Sequence, residues 1–261
     1  MLGDTLDSVM NYPLREALIG FLMGRIRASA VVSDLQALQQ NYPKPFFYAL
    51  MNLMGSHDRP RILNVLAGND GSDIPRSKRA EHKLTTEERL IGTLREHMML
   101  RAVMSMPGMP CVYYADEAGL EGCADPFCRR TYPWGHEDKD MLSYYRSMIA
   151  MRNNHPVLSV GECRYIAPCD DVFGVIRWIE NGVDALGNPA QNACAVTLIN
   201  RSARDIDVYL TSGDLCGAKE LHGDDGREID ERAGAFTIHL RGMHGRTLFV
   251  VNNRGGAAMD Q

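Results

Sequence analysis

The sequence predicts an α/β fold over residues 1–156, followed by a small antiparallel β-sandwich over residues 157–261. Two observations carry that division. Before residue 156, apolar strand-like runs lead through polar loops into helical stripes three times. After it the hydrophobic period becomes two, with short β-branched or aromatic segments separated by Gly, Asn and Asp. Length sets the bound: 261 residues correspond to one or two domains at about 150 residues each.

The first unit opens with Leu6-Asp7-Ser8-Val9-Met10-Asn11-Tyr12, a strand-like run closed by Pro13. Proline suits the first turn of a helix, and Leu14, Ala17, Leu18, Phe21 and Leu22 then recur at helical spacing. The second unit begins with Phe46-Phe47-Tyr48-Ala49-Leu50-Met51-Asn52-Leu53, nearly continuous in apolar character, which predicts a strand covered on both faces. It ends in Gly55-Ser56-His57-Asp58. A polar, basic loop from about 68 to 84 leads to Thr85-Thr86-Glu87-Glu88, the pattern of a helix-starting capping box. Leu90, Ile91, Leu94, Met98, Ala102 and Met106 mark one face of the helix that follows. The third run, Met109-Pro110-Cys111-Val112-Tyr113-Tyr114, passes through a loop of about 20 residues to a helix from about Asp140 to Asn153, closed by Pro156. Beyond it, strands are predicted at 162–167, 172–180, 193–200, 205–210, 235–240 and 246–252.

Composition excludes several function classes. The chain is 45% hydrophobic and 23% charged, ordinary values for a folded protein rather than a disordered one. A net charge of -5 gives no electrostatic reason to bind nucleic acid or an anionic membrane. No apolar run approaches the roughly 20 residues a membrane helix needs, and Met1-Leu2-Gly3-Asp4-Thr5 lacks the basic and apolar regions of a signal peptide. The seven cysteines are odd in number and contain no C-x-x-C, so they are expected as reduced thiols in a cytoplasmic protein.

Two segments carry chemistry. His57-Asp58 directly follows an apolar run, where a carboxylate could stabilise positive charge, bind a hydroxyl or move a proton. A loop or helix cap is the plainer reading of that dipeptide alone. The second segment runs from Gly108 through Tyr113-Tyr114-Ala115-Asp116-Glu117 to Glu121-Gly122-Cys123-Ala124-Asp125-Pro126-Phe127-Cys128-Arg129-Arg130. Aromatic faces, carboxylates and forked guanidiniums in one loop suit a polyhydroxylated ligand; the plainer reading is a salt-bridged loop over a core.

Together these residues resemble a family. Met51 to Arg61 is similar to the His-Asp segment after the seventh barrel strand of α-amylase-family glycoside hydrolases, and Gly108 to Arg130 to their eighth strand and loop. Leu6 to Pro13 resembles the sixth strand. The subgroup it most resembles contains neopullulanase, cyclomaltodextrinase and maltogenic amylase. The resemblance implies that residues 1–156 are the C-terminal part of a (β/α)8 barrel, strands six to eight, with 157–261 as the C-terminal all-β domain. It implies a retaining α-glucan hydrolase acting on maltooligosaccharides, cyclodextrins or pullulan. Asp58 would be the transition-state stabiliser with His57 beside it, and Asp125, Arg129 and Tyr12 would contact sugar. No cofactor is expected for this chain, and calcium is left open for a full-length protein, because the family's calcium ligands lie mostly in segments not present here.

Departures from the family pattern matter as much. Its nucleophile belongs in a Gly-x-Arg-x-Asp segment and its acid Glu after the fifth strand; the sequence contains neither segment. The chain is therefore expected to be inactive alone, since a retaining reaction needs a closely placed carboxylate pair. A partial barrel exposes strand edges and an apolar face, so self-association, or a need for the missing half, is expected. The alternatives are a non-catalytic carbohydrate-binding or interaction module and a fragment of an α-glucosidase or oligo-1,6-glucosidase. Ala115 stands where the family has Gly, a mild change unless φ there is positive. A Cys123/Cys128/His136 metal site is disfavoured by spacing. His97 and His155 read as packing or capping residues, and Met98, Met99, Met104 and Met106 as adaptable core. Arg76 to Lys83 reads as a solvated loop, and Trp134 as either a support for the sugar loop or a buried anchor.

Overall fold

A computed structural model describes residues 6–251; Met1–Thr5 and residues 252–261, which include the expected end of the last strand at 252, fall outside it. Asn11 accepts a hydrogen bond from the backbone N–H of Leu14 at 3.2 Å and so caps α1 (Tyr12–Leu22), which holds Pro13 in its first turn. The stripe predicted there is buried, Leu14, Leu18, Phe21 and Leu22 among it. A second helix, α2 (Ala28–Asn41), was not foreseen; it buries only Ala28, Val31 and Leu35, a stripe too thin to stand out in the sequence.

The expected strand at 46–53 needs correction. Its first part is a helical turn, α3 (Lys44–Tyr48), with proline at its start, and only β1 (Met51–Leu53) is extended. A short apolar run has no period that separates the two states, and Pro45 pre-sets the φ of a first turn. Next come α4 (Ile62–Ala67), α5 (Thr86–Ser105), β2 (Met109–Cys111), α6 (Lys139–Asn154) and α7 (Val157–Val160). β1 and β2 pair in parallel, with Met51 opposite Met109, and Met10 bridges Met51 in parallel as well. The expected run at 6–12 is thus reduced to a single bridge. A buried amide relay crosses all three segments: Asn11 Nδ2 donates to Asn52 Oδ1 at 2.8 Å, and Asn52 Nδ2 to the Pro107 carbonyl at 2.7 Å. Gly108, at φ 102°, permits this approach, because a Cβ there would sit 2.6 Å from the Leu50 carbonyl.

α5 starts as expected: Thr85 Oγ1 accepts from the Glu88 N–H, and Glu88 accepts from the Thr85 N–H at 2.7 Å. Its apolar face does not run its full length. Leu90 is 61% exposed, whereas every residue from Met98 to Ser105 is buried. The second half is enclosed on all sides by neighbouring elements, so no single stripe describes it.

From residue 162 the chain is antiparallel. β3 (Glu162–Cys169), β4 (Val172–Ile179), β5 (Ala193–Asn200), β6 (Ile206–Thr211), β7 (Glu220–Gly223), β8 (Glu228–Asp230), β9 (Ala235–Leu240) and β10 (His244–Val250) form two sheets. The larger has the order β3-β4-β5-β10-β7-β8, and β6 pairs with β9. Alternation places Val208 and Leu210 inward with Phe236, Ile238 and Leu240, against Val172, Ile176, Val196 and Leu198 of the larger sheet. β7 and β8 were not foreseen, being only four and three residues long.

The opposite face of the larger sheet belongs to the helical part. One cluster runs from Leu18 and Phe21 through Met98, Met104 and Tyr145 to Phe173, Val175 and Ile199. The methionines read as core are core: Met98, Met99, Met104 and Met106 are all buried. Buried guanidiniums stitch the seam; Arg177 on β4 donates to the carbonyls of Ser105, Leu158 and Gly161. The seven cysteines are all free thiols. Among the described residues no helix is long and apolar enough to cross a membrane.

Candidate functional site

The segments following β1 and β2 leave the parallel strands side by side, and the residues singled out in the sequence converge there. His57 Nε2 lies 3.1 Å from Asp58 Oδ1. From the other loop, Arg129 Nε makes an ion pair with Asp125 at 2.6 Å while its Nη2 reaches 3.9 Å from Asp58. The Tyr12 hydroxyl, at the first position of α1, shares a hydrogen bond of 3.2 Å with Ser56 Oγ, which accepts the Asp58 N–H at 3.3 Å. All five expected residues therefore occupy one patch, although they come from positions more than a hundred residues apart. Asp58 remains 60% exposed and Arg129 47%, so the patch offers two carboxylates and a guanidinium fork to solvent. That set can accept from and donate to vicinal hydroxyls.

Residues not foreseen hold this patch in place. Arg59 lies over the Tyr12 ring, 5.3 Å from its centroid. Arg61 is the structural pivot: Nε donates to the Cys128 carbonyl at 2.7 Å, and Nη1 to the Tyr114 carbonyl and to Asp116 Oδ1, the latter at 3.0 Å. Its guanidinium also lies over Tyr113 and Tyr114, 4.3 and 4.5 Å from their centroids. One side chain thus clamps the loop after β1 to the loop after β2. The Cys128 thiol adds a second tie, donating to the His57 carbonyl at 3.2 Å. The sequence signal for the clamp was an arginine three residues beyond the His-Asp pair, which local periodicity does not distinguish from a surface charge.

Burial sets the electrostatics beneath the patch. It pushes Asp116 up to about 7, against the pull of Arg61. Glu96, buried on α5 with its Oε1 accepting from the Tyr145 hydroxyl at 2.7 Å, is raised well above the usual carboxylate range by the same desolvation. Ala115 has φ 66°, so its substitution for glycine is not mild: the residue is held in the left-handed region.

Other residues take the roles read for them or sharpen them. His97 stacks on Tyr144 at 3.9 Å and His155 on Phe249 at 3.7 Å, both as packing residues. Trp134 is no buried anchor; it is 79% exposed and leans on Tyr132, with centroids 4.5 Å apart. In the basic stretch Arg76 and Lys78 are exposed, whereas Arg79 is half-buried and donates from Nε to the Ile74 carbonyl at 2.8 Å. A polar cleft of about 300 Å³ opens beside the patch, lined by Arg15, Glu16, Arg25, Arg59, Asp70 and Ser72. A larger cavity of about 640 Å³ lies elsewhere, between α7 and the residues joining β4 to β5, and its lining includes Val157, Ile179 and Pro189.

No family model matches the chain. An amylopullulanase of Thermoanaerobacterium saccharolyticum is 35% identical, over 94% of this chain and 20% of that protein. A cyclomaltodextrinase of Geobacillus thermopakistaniensis is 30% identical, over 80% of this chain and 30% of that protein. The chain belongs to the α-amylase family. A solved member is similar in three dimensions: the cyclic α-maltosyl-(1→6)-maltose hydrolase of Arthrobacter globiformis, in complex with cyclic α-maltosyl-(1→6)-maltose, superimposes with a TM-score of 0.70 at 25% identity. That match covers 95% of this chain and 46% of the solved one. The chain therefore spans between a fifth and half of the length of these α-amylase-family relatives.

Proposed function

We propose that this chain forms the substrate-holding side of a retaining α-glucan hydrolase related to neopullulanase and cyclomaltodextrinase. In this reading the parallel segments at Met10, β1 and β2 are strands six to eight of a (β/α)8 barrel within residues 1–156. Residues 157–261 are the β domain packed on it. The observation that carries the proposal is the convergence of Tyr12, His57, Asp58, Asp125 and Arg129 where active sites of such barrels lie, beyond the carboxyl ends of the strands. Asp58 would hold sugar hydroxyls and favour the distorted ring that leads to an oxocarbenium-like transition state. Asp125 and Arg129 would grip a neighbouring glucose unit. The nucleophile and acid, for which the sequence has no family segment, would come from elsewhere, and no cofactor is invoked.

Titration of the 261-residue chain with maltotriose, followed by calorimetry, tests this reading. Saturable binding is expected, weakened in Asp58→Ala and in Arg129→Ala, with no release of reducing ends. Clear maltooligosaccharide hydrolysis by the pure chain would overturn the assignment of the missing carboxylates. Binding indifferent to Asp58, Asp125 and Arg129 would instead favour a carbohydrate-binding module seated on residues 157–261.

A further inference from the structure

The β7–β8 hairpin carries a cluster that sugar chemistry does not use. Side chains alternate along a strand, so Glu220 and His222 project to the face opposite Leu221. The register sets Glu220 against Asp230 and His222 against Glu228, all on that same face. Leu221 is buried in the sandwich core with Ile229 packed against it, which leaves the four polar residues on the outer side. Three carboxylates and one imidazole share the patch, and Glu220 opposes Asp230 directly, an unfavourable pairing without a cation between them. The lysine and arginine adjoining Glu220 and Glu228 in sequence pair elsewhere, Lys219 with Glu231 at 2.6 Å and Arg227 with Asp225 at 4.0 Å.

His222 Nε2 lies 2.7 Å from Glu220 Oε1 and 3.3 Å from Glu228 Oε1. That nitrogen carries at most one proton, which can serve only one of the two carboxylates well. The three ligand atoms all fall within 4.8 Å of one another. Donors around a tetrahedral zinc ion, with bonds of about 2.0–2.2 Å, sit about 3.3–3.5 Å apart. Small rotamer changes would bring these three to that spacing.

We propose that Glu220, His222 and Glu228 form a binding site for a divalent transition-metal ion of zinc-like chemistry. An imidazole and two carboxylates suit zinc, whereas calcium requires six to eight oxygens and magnesium keeps most of its waters. Water fills the remaining position, with Asp230 beside it. The ion staples β8, the edge strand of the larger sheet, to β7 and blunts an edge otherwise open to pairing with another chain.

The full chain is titrated with Zn2+ by calorimetry and with Co2+ by absorption, the latter because seven free thiols could compete. One equivalent is expected to bind, with no thiolate charge-transfer band from Co2+. Tm should rise with Zn2+ and not with Ca2+. His222→Ala and Glu228→Gln should each weaken that equivalent at least about tenfold. Glu228 is 67% exposed, so its variant keeps the test sound if His222→Ala folds poorly. No saturable Zn2+ uptake, a thiolate band, or unchanged affinity in Glu228→Gln would overturn the proposal.

Discussion

Arg61 and Asp116 meet at 3.0 Å with their side chains 0% and 1% exposed, the one following the His-Asp pair and the other ending the Tyr-Tyr segment. The pair lies beneath the candidate site and joins the two loops that compose it. Removing one partner of such a pair leaves an uncompensated buried charge, which typically costs about 3–5 kcal/mol. Arg61→Ala is therefore expected to lower unfolding free energy by about that amount at pH 8, read from urea denaturation. A loss within about 0.5 kcal/mol, the ordinary effect of a surface substitution, would show that the clamp is dispensable.

The same pair sets a pH dependence. Asp116 is held near 7 in the folded chain against a usual 3.8, so folding takes up a proton between those values. Stability then falls as pH rises from about 4 to about 7 and stays lower above it. Glu96 acts in the same direction. His97, lowered by burial from 6.5 to about 4, contributes the opposite slope. The measurement is accordingly the difference between wild type and Asp116→Asn across this window: the wild type should lose stability relative to the variant as pH rises. A difference that grows in the other direction would refute the assignment.

Binding and stability should separate at the exposed loop. The Asp125–Arg129 ion pair is about half exposed, so its worth to folding is about 0–1 kcal/mol. Asp125→Asn should leave the denaturation midpoint nearly unchanged while weakening maltotriose binding, because Arg129 loses its tether. Equal losses in both readouts would assign the pair a structural role instead.

Ala115 offers a gain. Its left-handed backbone costs roughly 1–2 kcal/mol for a residue with a Cβ, partly offset in glycine by about 0.4–1 kcal/mol of unfolded-chain entropy. Ala115→Gly should stabilise the chain by up to about 1 kcal/mol, seen as a higher urea midpoint at unchanged slope. A clear destabilisation would mean that the Ala115 methyl, fully buried here, is worth more to packing than its backbone costs.

What could be read from the residues alone was whatever depends on near neighbours in the chain. The Thr85–Glu88 box located the start of α5, and alternation located β5 and β9 to the residue. The five candidate residues were picked out because a resemblance supplied them, not because spacing did. Phe46–Tyr48 shows the limit of local patterning: a short apolar run is compatible with either state until its surroundings choose.

By itself, then, the sequence determined the starts of α1 and α5, the change of period near residue 157 and the two loops proposed to hold substrate. Tertiary structure alone decided that Leu90 faces solvent while Met98 to Ser105 are enclosed, that β7 and β8 extend the larger sheet, and that Tyr12, Asp58 and Arg129 share one surface. The reason is physical: caps and alternation act over a few residues, whereas burial and ion pairing depend on which distant segment arrives alongside. Arg61 finds Asp116 fifty-five residues away, and no local pattern marks either as the other's partner.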